Sequence, residues 1–113
     1  MLLGSKFELK NGIVFDKDSL CIRKEDDFIY LGKKESQLLE ILCKKSPHVV
    51  TYDEIDHHLY KNETLSQDRI RSLVREIRAK IPAIYLKTVR GTGYKVDRGD
   101  LHINLFFYKL NYL

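Results

Sequence analysis

The apolar residues between Ser66 and Ile81 constrain the fold most: Ile70, Leu73, Val74, Ile77 and Ile81 recur at steps of three and four. That interval keeps one narrow apolar stripe on a helix. At about 100° per residue, Arg71, Arg75 and Arg78 fall on the flank and back of the stripe, with Ser72 and Ala79 between them. Ser66 is placed to cap this helix, Leu65 to staple against Ile70, and Asp68 to favour its first turn. Pro82 ends it. Residues 87–96, KTVRGTGYKV, then read as two short strands joined at a glycine-flanked turn, with Arg90 and Lys95 near the tip. An arginine-faced helix beside a basic hairpin suits a polyanion with a groove.

The distribution of charge agrees. Residues 66–98 carry nine Lys or Arg against Asp68, Glu76 and Asp97, a surplus of +6, whereas residues 1–65 carry ten against twelve. The net +4 of the chain therefore comes from the helix-and-hairpin segment, which points to an anionic partner. The alternative is a solvated basic surface. With 113 residues, 43% hydrophobic and 32% charged, the chain has the make-up of one soluble globular domain rather than of a disordered chain. Cys21 and Cys43 lie far apart in apolar stretches and form no metal spacing, so they are expected as buried free thiols in a reducing cytoplasm. Nothing at the start of the sequence resembles a signal peptide, and no apolar run approaches the length needed to span a bilayer.

Upstream, residues 6–31 read as four antiparallel strands: Phe7–Leu9, Ile13–Phe15, Ser19–Arg23 and Phe28–Leu31. Asn11-Gly12 is a hairpin signal, and polar turns separate the others. Lys33 to Lys45 forms a first helix with Leu38, Leu39, Ile41 and Leu42 inward, stopped by Ser46-Pro47. Thr51-Tyr52-Asp53-Glu54 is a capping box for a second helix running to about Tyr60, with Val50 and Ile55 as its staple. The order of strands, three helices and a basic hairpin describes a helix-turn-helix with a wing.

These residues resemble the C-terminal effector domain of OmpR/PhoB-type response regulators of bacterial two-component systems. The likeness rests on Leu31, Glu35, Leu38 and Leu39; on the run from Val50 to Ile55; on Arg75, Ile77, Arg78, Lys80 and Ile81; and above all on the wing from Thr88 to Tyr94. It covers about residues 6–97. Gly32 stands where the family usually has Thr, Ser36 where it has an aromatic residue, and Glu76 where a basic residue is common. The receiver domain that normally precedes such an effector is not in this sequence.

The resemblance implies an α+β fold: a winged helix-turn-helix with an N-terminal four-stranded antiparallel sheet, three helices and a C-terminal β-hairpin wing. It implies sequence-specific binding of double-stranded DNA by a bacterial transcription regulator, with helix 66–81 in the major groove and wing 87–96 at the minor groove. The candidate DNA-binding set is Arg71, Ser72, Arg75 and Arg78 on the helix, and Thr88, Arg90, Gly91 and Thr92 on the wing. Arginine forks match phosphate oxygens and guanine edges alike, and a narrow A·T-rich minor groove draws in an arginine such as Arg90. The alternative for the arginines is pairing with Asp68 or Glu76. Gly91 and Gly93 are expected to allow close approach of the turn, or to supply its positive φ. Tyr94 is expected in the core beneath the wing. Also implied are tandem direct repeats as sites, a contact with RNA polymerase through loop 60–65, and a possible homodimer.

His57 and His58 are adjacent on a helix and point about 100° apart. They and the distant His48 and His102 read as ordinary residues, so neither metal nor cofactor is expected. No nucleophile constellation, paired carboxylates or Gly-rich phosphate loop stands out, and the chain is read as no enzyme. Residues 1–5 read as a linker or tag remnant, and residues 6–98 as the winged-helix domain. Residues 99–113 form an apolar tail that adds a strand, covers a core edge or mediates self-association. A protein-interaction module using that tail is the rival function.

Overall fold

The computed structural model describes residues 5–60 and 67–98. The expected cap at Ser66, staple at Leu65, most of loop 60–65 and the tail lie outside the described residues, as do Met1–Gly4.

Four strands open the chain: β1 (Lys6–Leu9), β2 (Ile13–Asp16), β3 (Cys21–Lys24) and β4 (Asp27–Tyr30). They form an antiparallel meander in chain order. Period-2 alternation turns Phe7, Leu9, Ile13, Phe15 and Ile22 into the core, where the rings of Phe7 and Phe15 stack with centroids 6.0 Å apart. Asn11 and Gly12 take φ of 68° and 72°, the left-handed conformation that an Asn-Gly turn supplies cheaply. Asn11 Nδ2 also donates to Ala83 O at 2.9 Å and ties this turn to the segment after the third helix.

The third strand starts at Cys21, not at Ser19 as expected. The Asp16 carboxylate accepts from the Ser19 backbone N–H and hydroxyl and from the Asp18 N–H, and Leu20 sits at φ 52°. This Asx-type turn holds Ser19 and Leu20 out of the ladder. The fourth strand shifts with it, ending at Tyr30, while Leu31 donates its N–H to Leu20 O and buries its side chain.

Helix α1 (Lys33–Lys45) lies where its apolar face predicts and buries Leu38, Leu39, Ile41, Leu42 and Cys43. Gly32 supplies no side chain to cap it, but Glu35 Oε1 accepts from the Gly32 N–H at 2.8 Å, so half of a capping box remains. The same buried carboxylate takes Lys80 Nζ at 2.7 Å and joins α1 to the third helix. Strand β5 (Val50–Thr51) has no counterpart in the sequence reading; it pairs antiparallel with the last strand, β7 (Gly93–Val96), Val50 against Tyr94 and Thr51 against Gly93. Helix α2 (Tyr52–Leu59) begins on the expected capping box, with Thr51 Oγ1 accepting from Glu54 N at 3.2 Å and Glu54 Oε1 from Thr51 N at 3.1 Å.

Helix α3 (Gln67–Lys80) follows, then β6 (Leu86–Val89) and β7 (Gly93–Val96). The expected hairpin is thus part of a three-stranded sheet in the order β5-β7-β6. All three helices and both sheets contribute to one buried cluster. Cys21 and Cys43 are free and buried, and burial pushes the Cys43 thiol up to about 12.

Candidate nucleic-acid interface

Helix α3 buries Ile70, Leu73, Val74 and Ile77, which leaves Arg71, Arg75 and Arg78 exposed on its outer side. Strand β6 runs alongside. Arg78 Nη2 donates to Leu86 O at 2.8 Å and to Thr88 Oγ1 at 3.0 Å. These bonds brace the helix against the wing. Because the Thr88 hydroxyl is an acceptor here, its own proton is left to donate outward.

Between helix and wing runs a groove that brings together Arg71, Arg75, Arg78, Thr88, Arg90 and Gly91, with Tyr52, Val74 and Tyr94 beneath. Two of the candidate residues are elsewhere. Thr92 lines a neighbouring recess with Asp53 and Gln67. Ser72 is half-buried and not part of the groove; about 100° round the helix from Arg71, it turns away.

The arginines are held differently. Arg71 Nη1 donates to Asp68 Oδ1 at 2.9 Å, and its guanidinium stands 5.9 Å from the Tyr52 ring centroid. The Asp68 pair is exposed, with side-chain exposures of 52% and 89%, and solvent screens it. It orients the fork without locking it. Arg75 and Arg90 make no hydrogen bond or ion pair among the described residues. Glu76 does not face the groove; it interacts with Glu35 on the α1 side. There burial acts to raise the Glu35 carboxyl, but Lys80, the Gly32 N–H and Glu76 outweigh it and hold it below the usual carboxylate range.

The wing turn separates the roles of its glycines. Gly91 has φ +74°, with open space around it, as the turn requires. Gly93 does not have positive φ, contrary to expectation. A Cβ on it would stand 1.9 Å from Val50 O and 2.9 Å from Thr51 Cα. Glycine is needed there because β5 passes too close for any side chain. The Thr92 carbonyl accepts from the Tyr52 N–H at 3.2 Å and fastens the turn to the start of α2. Tyr94 is in the core as expected, 3% exposed. Burial, followed by the Tyr52 hydroxyl 3.5 Å away, pushes its phenol up to about 12, so it stays neutral.

The sequence reading used Tyr52 only as a capping-box position and missed it beneath Arg71. No periodicity marks it; the pairing of β5 with β7 puts it there. His58 meets Glu40 Oε1 at 3.3 Å. Among the described residues, no group of three or more His, Cys, Asp or Glu is placed to hold a metal ion, and no helix is long and apolar enough to cross a membrane.

A family model described as "Transcriptional regulatory protein, C terminal" matches residues 25–96. The chain is 37% identical over 86 residues to the response regulator protein GraR of Staphylococcus saprophyticus, covering 72% of this chain and 38% of that protein. It therefore spans less than half the length of such a relative. Among solved structures, the DNA-binding domain of Bacillus subtilis CssR superposes with a TM-score of 0.62 at 27% identity, covering 70% of this chain and 92% of that one. The Klebsiella pneumoniae RstA DNA-binding domain, solved in complex with the RstA box, has a TM-score of 0.69 at 14% identity, covering 81% and 96%. The RstA likeness speaks for the fold alone.

Proposed function

The chain belongs to the family of C-terminal domains of transcriptional regulatory proteins, and from that premise we propose that it binds double-stranded DNA sequence-specifically as an OmpR/PhoB-type effector domain. The observation that carries this is the groove itself: Arg71, Arg75, Arg78 and Arg90 line one surface between α3 and the wing. Helix α3 has the dimensions to enter a major groove. Arg75, with its fork uncommitted among the described residues, reads a guanine edge. Arg78 braces β6 and offers its remaining donors to phosphate. Thr88 donates its hydroxyl proton to the backbone, and Arg71 reaches a phosphate from its mount on Tyr52. Arg90 enters the flanking minor groove, where narrowness strengthens the negative potential.

Tandem direct repeats, a polymerase contact through loop 60–65 and a cytoplasmic setting belong to the same proposal and rest on the family resemblance. The test is selection of bound duplexes from a random pool, followed by salt titration on the winner. The expected outcome is an enriched, repeated half-site and affinity that falls with a log–log slope of about −0.9 per phosphate neutralised. No enrichment, a flat salt response, or preference for single-stranded RNA would overturn it.

A further inference from the structure

One residue that belongs neither to α3 nor to the wing reaches both. Tyr52, the first residue of α2, donates its backbone N–H to Thr92 O in the wing turn at 3.2 Å. Its ring meets Tyr94 of β7 edge-on, with centroids 5.7 Å apart, and packs against the buried cluster. Over the ring stands the Arg71 guanidinium, 5.9 Å from the centroid. The Tyr52 hydroxyl first, and Asp68 after it, hold that guanidinium above its ordinary value. A guanidinium only donates. The Tyr52 oxygen therefore faces Arg71 as an acceptor, and its own proton goes to the Tyr94 hydroxyl, 3.5 Å away.

The two partners of Arg71 differ in kind. Tyr52 is half-buried and fastened twice to the wing, by its N–H to Thr92 and by its hydroxyl to Tyr94. Asp68 meets the fork through one oxygen at 2.9 Å and is 89% exposed, so solvent screens it. A DNA phosphate presents anionic oxygens to the same fork, and the other arginines of the groove draw it in. One anion can replace the other without turning the fork, provided that something else keeps it aimed.

We propose that Tyr52 is a positioning residue of the interface: it holds the Arg71 fork at the groove while a backbone phosphate replaces the Asp68 carboxylate. This rests on the DNA-binding reading above and deepens it. Asp68 then competes with DNA for Arg71 and restrains binding, besides favouring the first turn of α3. Because Tyr52 is fastened to Thr92 and Tyr94, the aim of Arg71 is set from the wing.

The test is duplex affinity as a function of salt, on a duplex recovered by selection. It compares the unaltered chain with Arg71→Ala, Tyr52→Phe, Tyr52→Leu and Asp68→Asn, and repeats the last two in the Arg71→Ala background. Tyr52→Leu should weaken binding several-fold and flatten the log–log slope by about 0.9, the share of one phosphate, as Arg71→Ala does. Tyr52→Phe keeps the ring, loses the hydroxyl and should fall in between. Asp68→Asn should tighten binding several-fold. In the Arg71→Ala background, Tyr52→Leu and Asp68→Asn should each change affinity little. A Tyr52→Leu loss of full size in that background would overturn the proposal, by making Tyr52 a support of the wing alone. An Asp68→Asn gain of full size there would overturn it too, by making Asp68 a general repeller of DNA. An unaltered chain without duplex affinity would remove the DNA-binding reading together with the proposal. A steep slope that Tyr52→Leu leaves unchanged would remove the positioning role alone.

Discussion

The two sheets of this chain are assembled by different rules. The four-stranded sheet is a meander in which each strand pairs with the next, so turn chemistry and alternation determine it locally. The three-stranded sheet joins Val50 and Thr51 to Tyr94 and Gly93, with α2, α3 and β6 intervening in the chain. The first sheet supports; the second carries the wing and one wall of the arginine groove. Geometry at the candidate site therefore depends on a long-range closure through a strand of two residues, and perturbing that closure should cost far more than perturbing a local turn.

Gly93 and Gly91 make the sharpest contrast. Gly93→Ala puts a methyl group 1.9 Å from Val50 O and should destabilise by more than about 3 kcal/mol, because backbone has to move. Gly91→Ala meets no atom within 4 Å and has only its φ of +74° to overcome, at about 1 kcal/mol. Denaturant unfolding of both variants reads the difference, and equal losses would remove β5 as the keystone of the wing.

On the functional side of the same comparison, Arg75→Ala should cost about 1–3 kcal/mol in duplex affinity and relax preference at one position, with stability unchanged. Arg78→Ala should lower both affinity and thermal stability, since its bonds to Leu86 and Thr88 are lost. Binding assays paired with melting curves separate the two; an Arg78→Ala variant of unaltered stability would show that its brace is idle.

Helix packing between the two sheets should respond to acid. The folded chain holds Glu35 below its ordinary value of 4.5, so the unfolded chain takes up that proton first. The stabilisation is present above the ordinary value and is lost as pH falls through the depressed one. Lys80→Ala leaves the Glu35 carboxylate without its partner and should cost on the order of 1–2 kcal/mol near neutral pH, discounted because Lys80 is itself 41% exposed. It should also flatten the fall of Tm below pH 4.5. An unchanged acid profile would mean that the pair contributes nothing.

The smallest effect belongs to a local feature. Gly32 has φ −70° and ψ 164°, an N-cap conformation open to any residue, and a Cβ there would meet Glu35 at an ordinary 3.7 Å. Gly32→Thr should complete the capping box and stabilise by about 0.5–1 kcal/mol. A rise in Tm with unchanged duplex affinity is the expected result.

The helices, the meander and most of the groove were legible because their signals are short-range: the Ile70–Ile77 stripe, the Thr51–Glu54 box, the Asn11-Gly12 turn. The strand shift at Ser19 was not, because a single carboxylate, Asp16, outbid the ladder for its N–H. Strand β5, the place of Tyr52 under Arg71 and the true reason for Gly93 were hidden for one common cause. Each follows from Val50 meeting Tyr94, a contact that no local period encodes.

The most direct measurement of the central claim, that helix and wing grip one duplex through adjacent grooves, is the affinity of Arg90→Ala on two duplexes differing only in the flank beside the wing. The loss should be larger on an A-tract flank than on a G·C-rich one, because a narrow minor groove rewards the inserted guanidinium. Arg90→Lys should recover only part of that loss, its ammonium being more strongly hydrated. Equal losses on both flanks would contradict the minor-groove role and leave Arg90 as a phosphate contact.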